Sequence, residues 1–292
     1  MKYKSIIYYL LIVWSTITCA QDTYYSAFLN PKDHINIFNN SFNNNGIKLD
    51  AQINYRTYIG KLAVIRSQYA GINYKFKKNI DSIPSLNHNF GVGIYSDKEG
   101  DFFSRNRLFL NYSLQLPLNN KWYISGGFSE HIINYSFSAS GSGASGSEWA
   151  VSHQIAASIN HSNFKAGISV NDFNNTTITP ISYSFTISRF YTTYMALQIP
   201  LKNYKINFYN KNTNSATQET LTCLGTGFTL PQNISIAYYY TLHKGSLFNF
   251  SIDKLEISPK NIFAFSINYF QPQESVIPNA NSAELCLKYF IP

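Results

Sequence analysis

Alternation of apolar and polar residues with a period of two runs through most of this chain and restricts what it can fold into. The clearest stretches are 49–55, 70–76, 108–114, 164–170, 234–240 and 263–269. Neighbouring residues of a β-strand point to opposite faces, so each stretch predicts a strand with one apolar and one polar face. Apolar residues at helical spacing are scarce. After residue 20 no apolar run reaches the 18 residues that would predict a membrane helix.

Two all-β architectures share this pattern: a soluble sandwich and a membrane barrel. The stretches are often about ten residues or longer, whereas soluble strands usually have five or six. Their polar faces carry Ser, Asn, Gly and Gln rather than Lys and Glu, and charged residues make up only 13% of the chain against 16% aromatic residues. Aromatic residues near predicted strand ends fit interfacial girdles, namely Trp122, Tyr135, Tyr204 and Tyr289. We therefore predict an all-β transmembrane antiparallel β-barrel of outer-membrane type.

The alternation predicts fourteen strands, with 12–16 as the range. They are 46–55, 66–77, 87–97, 103–116, 121–135, 149–160, 163–172, 181–199, 203–211, 217–230, 233–242, 246–256, 261–270 and 282–291. We treat 181–199 as one strand because its odd-numbered residues keep one mostly apolar phase and no Gly, Pro or Asn interrupts it. The barrel domain is thus 46–292.

An even strand count returns both ends of the barrel to the same side. That side then carries the short turns, at 117–120, 160–163, 200–203, 231–233 and 259–260. The opposite side carries most of the longer links, at 136–148, 173–180, 212–216 and 271–281. The link 78–86 is the exception, being long on the short-turn side. Short periplasmic turns and longer outer loops are typical of bacterial outer-membrane barrels.

The start of the chain has the layout of a secretory signal peptide. A short basic stretch precedes an apolar run over 6–13, and the small residues at 18–20 form a cleavage site, so 1–20 is predicted to be removed. A lipoprotein site at Cys19 is the alternative. The following segment, 21–45, is predicted to be either periplasmic or a plug in the lumen.

No motif in the sequence predicts catalysis, a cofactor or a metal. There is no P-loop, and the six histidines are scattered without metal-ligand spacing. Ser152 and His153 are adjacent in a predicted strand, so they point to opposite faces and form no nucleophile–base pair. The acidic stretch 97–101 predicts a turn rather than a calcium loop, since the further bidentate Glu is missing. Cys223 and Cys286 are interpreted as small apolar strand residues, with a disulfide between them as the alternative.

Lysines gather near the predicted periplasmic strand ends. They are Lys75, Lys77, Lys78, Lys121, Lys202, Lys205 and Lys260. Ordinary flanking of a membrane band explains such a distribution, and an electrostatic docking surface for a periplasmic partner explains it too. Although the net charge is +8, no basic cluster exceeds a few residues and the export signal argues against a nucleic-acid partner.

Several stretches of the chain resemble a known family in order and spacing. They are Gln21-Asp22, Tyr55-Arg56, Phe90-Gly91-Val92-Gly93-Ile94-Tyr95-Ser96-Asp97-Lys98-Glu99-Gly100, Leu110-Asn111-Tyr112-Ser113-Leu114-Gln115-Leu116-Pro117-Leu118, Ile124-Ser125-Gly126-Gly127-Phe128 and Ala283-Glu284-Leu285-Cys286-Leu287-Lys288-Tyr289. Together they resemble the PorP/SprF family of outer-membrane proteins from the type IX secretion system of Bacteroidetes-type bacteria. The resemblance implies an accessory of the secretion and gliding machinery in the outer membrane of a Gram-negative bacterium. It implies contacts with other secretion components in the outer membrane and periplasm, and with adhesin-type cargo that carries a C-terminal sorting domain.

Three functional hypotheses follow. The first is a non-enzymatic barrel in lipid that supports adhesin export or anchoring through protein–protein contacts. The second is an outer-membrane barrel that transports or binds solutes. The third is a soluble secreted sandwich.

Overall fold

The computed structural model describes residues 30–34, 37, 39–42, 46–80, 83–119, 121–138, 145–180, 184–215, 218–273 and 281–292. The predicted signal peptide, 1–20, lies outside these residues, and so does 21–29. No helix in the described part of the chain has the length and apolarity needed to cross a membrane.

Fourteen antiparallel strands form a closed barrel, and two further strands form a separate hairpin. The strands are β1 Leu49–Tyr58, β2 Arg66–Ile80, β3 Ile83–Glu99, β4 Phe103–Pro117, β5 Trp122–Phe137, β6 Gly146–His161, β7 Phe164–Asn171, β8 Thr177–Ile178, β9 Phe185–Thr186, β10 Phe190–Pro200, β11 Lys205–Ser215, β12 Gln218–Thr229, β13 Ile234–Thr241, β14 Gly245–Ser258, β15 Asn261–Pro272 and β16 Ser282–Ile291. Strand β1 pairs with β16 from Leu49↔Ile291 to Tyr58↔Ser282, which closes the sheet. A single 3₁₀ turn, Gly60–Leu62, follows β1.

The apolar faces point outward, as the alternation predicts. In β1 the outward Ile53 is 60% exposed, whereas Asn54 beside it is 1% exposed and faces the lumen. The same division holds for Ile236 and Ser235 in β13, at 59% and 2%. The predicted membrane barrel is therefore confirmed, and the soluble sandwich is not the fold. One predicted girdle residue is wrong, because Tyr135 points inward and is 2% exposed.

The strand 181–199 is predicted wrongly, although the total of fourteen barrel strands is right. The barrel strand in this region, β10, begins only at Phe190. Before it, β8 and β9 pair through Thr177↔Thr186 and Ile178↔Phe185. Residue Ile187 is 2% exposed and packs with Ile178 against inward side chains of β5 and β6. The apolar character of Ile187 thus reflects burial inside the protein and not contact with lipid, whereas Tyr191, Met195, Leu197 and Ile199 of the same phase are exposed on the outer face of β10.

The two ends of the barrel differ as predicted. One end, here called the short-turn end, carries the turns 118–121, 162–163, 201–204, 230–233 and 259–260. The opposite, long-loop end carries the long connections, including the whole stretch from β7 to β10 that contains the β8–β9 hairpin. Two predicted links are wrong: β2 and β3 extend through 78–86 to the pair Ile80↔Ile83, and β11 extends through Ser215.

The outward face of β1 provides a test of the membrane embedding. Replacing Ile53, in the middle of β1, with Arg should destabilise the barrel by about 2–4 kcal/mol, since a cation near the bilayer midplane is costly. Replacing Ile59, just beyond the end of β1, with Arg is the control and should cost about 0–1 kcal/mol. The measurement is the free energy of unfolding by urea in lipid vesicles. Equal effects at the two positions would contradict this orientation.

Candidate functional site

The described part of the N-terminal region lies inside the barrel. We call residues 30–34, 37 and 39–42 the lumen segment. Its first residue bonds to the wall at Asn268 in β15, where Asn30 Nδ2 lies 2.8 Å from the side-chain oxygen. The ring of its last residue, Phe42, makes an edge-to-face contact with the ring of Tyr194 in β10, with centroids 5.4 Å apart. The segment therefore crosses the lumen from one wall to the opposite one.

Charged pairs anchor the first part of the lumen segment. Lys288 Nζ in β16 lies 3.0 Å from Asp33 Oδ1, and Ser266 donates a 2.7 Å hydrogen bond to the other carboxylate oxygen. Burial by itself raises the pKa of Asp33, but the ammonium groups of Lys288 and Lys32 outweigh it and hold that pKa below its usual range. Asp33 is therefore a carboxylate at neutral pH, matched to the buried lysine.

Two further pairs reinforce this anchor. Lys32 forms an ion pair with Asp253 of β14, and its Nζ also donates a 3.1 Å hydrogen bond to Ser251. His34 contacts the carboxylate of Glu284 in β16, and both side chains are almost fully buried. Two strands of the wall, β14 and β16, thus hold the segment through charged side chains.

The second part of the lumen segment is held by hydrogen bonds to β5, β6 and β7. Asn39 Nδ2 donates to the Ile168 carbonyl at 3.0 Å, and Asn40 Nδ2 donates to Ser129 Oγ at 2.5 Å. The wall is glycine-lined here because the segment comes so close. A Cβ at Gly127 would lie 2.3 Å from Asn40 Oδ1, and one at Gly167 would lie 2.7 Å from the Phe42 ring.

An apolar cluster occupies the middle of the lumen. Ile37 of the lumen segment packs against Tyr69, Tyr95, Phe109 and Phe190, which come from four different strands. All five side chains are buried, and Tyr95 is fully so. This cluster fills the space between the two anchored parts of the segment.

A second apolar cluster covers the lumen at the long-loop end. We call it the loop-end cap; it consists of Ile133, Tyr135, Ala150, Ile178 and Ile187. Because Ile178 and Ile187 come from the β8–β9 connection, that connection folds over the barrel end and closes the lumen above β5 and β6.

Two groups of buried charged residues brace the wall near the long-loop end. Arg107 lies 3.2 Å from Asp172 and donates a 3.0 Å hydrogen bond to His131, and Ser152 also donates to Asp172. Sequence reasoning missed this group because its members come from different strands and from the end of β7. The one signal in the sequence is that Arg107, His131 and Ser152 occupy positions of their strands whose side chains face inward.

The second group centres on Arg105, which reaches both Asp97, at 2.5 Å, and Glu99. A turn between β3 and β4 is confirmed, but it is shorter than predicted: β3 runs through Glu99 and the turn is 100–102, with Gly100 at φ +75. The carboxylates of Asp97 and Glu99, at the end of β3, are satisfied by Arg105. No group of metal-ligating side chains is found among the described residues.

Other sequence-predicted residues separate as expected. Ser152 faces the lumen, whereas His153 lies on the other face beside Glu130, 3.3 Å from its carboxylate. Cys223 and Cys286 are buried free thiols, as the interpretation as small strand residues requires.

Space remains in the lumen towards the short-turn end. Two adjoining cavities of about 530 and 280 Å³ lie between the lumen segment and the wall, and Lys32, Asp33, Lys165 and Lys288 line both.

The structure places the predicted docking lysines at or near the short-turn end. Lys121, Lys202 and Lys260 lie in turns and are exposed, as is Lys205 at the start of β11. Lys75 lies on the lumen side of β2, where its Nζ donates a 3.0 Å hydrogen bond to Gln115. Lys77 and Lys78 belong to β2, but their side chains fall outside the described structure.

Comparison with known families identifies the chain. A family model described as type IX secretion system membrane protein PorP/SprF matches residues 17–289. The chain belongs to the PorP/SprF family. This PorP/SprF barrel is accordingly a protein of the outer membrane associated with type IX secretion. The usual arrangement of bacterial outer-membrane barrels predicts that its short-turn end faces the periplasm.

Solved structures similar to this PorP/SprF barrel are outer-membrane barrels of low sequence identity. The TodX deltaS2S3 mutant, a monoaromatic hydrocarbon channel, has 9% identity and a TM-score of 0.51 and covers 95% of each chain. The translocator domain of the autotransporter NalP from Neisseria meningitidis has 12% identity and a TM-score of 0.47, covering 86% of this chain and 89% of that one. These likenesses concern the fold alone. No curated protein matches the sequence.

The anchor of the lumen segment can be tested by removing one carboxylate. Asp33→Ala leaves the buried Lys288 without its anion, which should lower the free energy of unfolding by about 3 kcal/mol. Asp101→Ala is the control, because it removes only the exposed pair with Lys98, which is 3.4 Å long, and should change nothing measurable. The measurement is urea unfolding in vesicles. A wild-type stability for Asp33→Ala would mean that the pair does not hold the segment.

Proposed function

We propose that this barrel is a closed scaffold of the type IX machinery that acts through protein–protein contacts. In this role its periplasmic rim holds other secretion components, and its long loops receive adhesin-type cargo bearing a C-terminal sorting domain. The role requires no catalytic group, cofactor or metal.

The observation that carries the proposal is the filled lumen. The lumen segment crosses the barrel, Ile37 plugs its middle, and the loop-end cap covers part of its far end. A solute channel needs a continuous wet path, and these contacts oppose one. Within a family defined by secretion, a filled barrel favours surfaces over passage as the means of action.

The charge of the periplasmic rim supports the proposed contact with other components. The five short turns 118–121, 162–163, 201–204, 230–233 and 259–260 contain three lysines and no acidic residue, and the β2–β3 connection at the same end adds one acidic residue, Asp81. Such a rim attracts an acidic surface and orients it before contact. The partner expected there is a periplasmic protein with an exposed acidic face.

Conductance separates a scaffold from the alternative, a solute transporter. The purified full chain in a planar bilayer should conduct little, because its lumen is filled. Deleting residues 30–42 should raise the conductance severalfold, because it removes the crossing segment. Large stable currents from the unmodified chain would favour transport and count against the scaffold.

Charge reversal tests the rim. Lys121→Glu, Lys202→Glu and Lys260→Glu, combined in one variant, should sharply reduce co-purification of periplasmic components from native membranes. The matched control reverses Lys98 and Lys244 at the long-loop end and should leave recovery intact. Unchanged recovery with the rim variant would refute docking through these lysines.

The cellular role has its own readout. Loss of the gene should deplete the adhesin on the cell surface, and the intact gene should restore it. Normal surface adhesin in the deletion strain would exclude the proposed role even if the rim binds a partner.

A further inference from the structure

A cleft of about 530 Å³ lies at the periplasmic end of the barrel, beside the point where β1 and β2 part. The last ladder pair is Leu49↔Tyr74, followed by one hydrogen bond of 2.7 Å from the Lys75 N–H to the Lys48 carbonyl. Strand β2 then runs on to Ile80 without β1 beside it. Side chains from both faces of β2 therefore border the same opening, which connects the lipid side with the lumen side.

The lumen side of the cleft is rich in hydrogen-bond donors. Lys75 Nζ and Asn87 Nδ2 both donate to the side-chain oxygen of Gln115, at 3.0 and 3.3 Å. The amide nitrogen of Gln115 is buried and has no hydrogen-bond partner in the described chain. At the rim of the opening Lys48 adds a second ammonium group, and none of the described side chains that line the cleft is acidic. This arrangement suits an anion that accepts several hydrogen bonds.

The lipid side of the cleft is aromatic. Tyr74 and Phe76 point outward, and the Lys48 ammonium lies 5.8 Å from the centroid of the Tyr74 ring. Phe76 stacks on His88 and Phe90, with ring centroids 4.9 and 5.6 Å apart. Outward aromatic side chains near strand ends mark the membrane–water interface, so the cleft opens at the depth of the lipid headgroups.

We propose that this cleft binds an anionic phospholipid of the periplasmic leaflet. Its phosphate contacts Lys48 and Lys75, and its glycerol and first acyl carbons lie against Tyr74 and Phe76. Charge alone would also suit an acidic peptide. A cleft that combines two ammonium groups with aromatic rings on its lipid side favours an amphiphile, which needs both. The inference is independent of the proposed scaffold role.

Native mass spectrometry of the detergent-solubilised full chain tests the site with phosphatidylglycerol and phosphatidylcholine as probes. The wild type should retain phosphatidylglycerol preferentially. K48Q/K75Q should bind phosphatidylglycerol about tenfold more weakly than the wild type, because each lysine at a lipid surface contributes attraction to anionic headgroups. The control K202Q/K260Q removes the same charge from the same rim outside the cleft and should retain phosphatidylglycerol like the wild type. Far-UV circular dichroism confirms that each variant is folded.

A second variant and two competitors identify the source of the anion. Phe76→Ala keeps both lysines and should weaken phosphatidylglycerol binding, whereas glycerol 3-phosphate should compete poorly because it lacks acyl chains. Equal affinity of the wild type and K48Q/K75Q for phosphatidylglycerol would overturn the proposal. Competition by glycerol 3-phosphate as strong as that by the lipid would indicate a free-anion site instead, and displacement by a tetraglutamate peptide would indicate a peptide site.

Discussion

Backbone hydrogen bonding in a medium without water governs this structure. Peptide groups in hydrocarbon must be satisfied within the protein, so a spanning sheet cannot keep a free edge. The pairing of β1 with β16 removes that edge by joining the two ends of the barrel chain over ten residue pairs. The outward apolar side chains follow from the same medium, because every second residue of each strand then faces lipid.

Closure creates a second requirement, which is to fill the interior. A ring of fourteen strands encloses more space than inward side chains alone occupy. The space is taken by pieces of chain from two distant places, the lumen segment before β1 and the β8–β9 connection between β7 and β10. The buried charges of the lumen segment are matched by charges on the wall, and its closest approaches fall on glycines. These are specific contacts, which favour one position for the segment.

The sequence alone predicts the wall of the barrel well and its contents poorly. Alternation identifies the outward residues of β1, β2, β4, β7, β13 and β15, because lipid contact constrains each strand independently. It fails at 181–187, where Ile187 is apolar because it packs in the loop-end cap. A periodic pattern reports that one face meets an apolar medium, but it does not distinguish lipid from a protein interior. Tyr135 is misjudged for the same reason.

The inward contacts are harder to predict because they depend on geometry that no local pattern encodes. Asp33 meets Lys288, and Arg107 meets Asp172, only once the register of every intervening strand and the path of the lumen segment are fixed. The lysines that are predicted to dock a partner are the opposite case. Their position at one end follows from strand parity alone. Counting the strands is therefore enough to predict that Lys121, Lys202 and Lys260 lie at the same rim.

The two ends of the lumen differ in chemistry, and this difference bears on how the barrel can act. Towards the long loops the interior is covered by the apolar loop-end cap, which excludes polar groups that approach from outside. Towards the periplasm it opens into charged cavities lined by Lys165 and Lys288. A polar group can therefore reach the anchor of the lumen segment from the periplasmic side far more readily than through the cap.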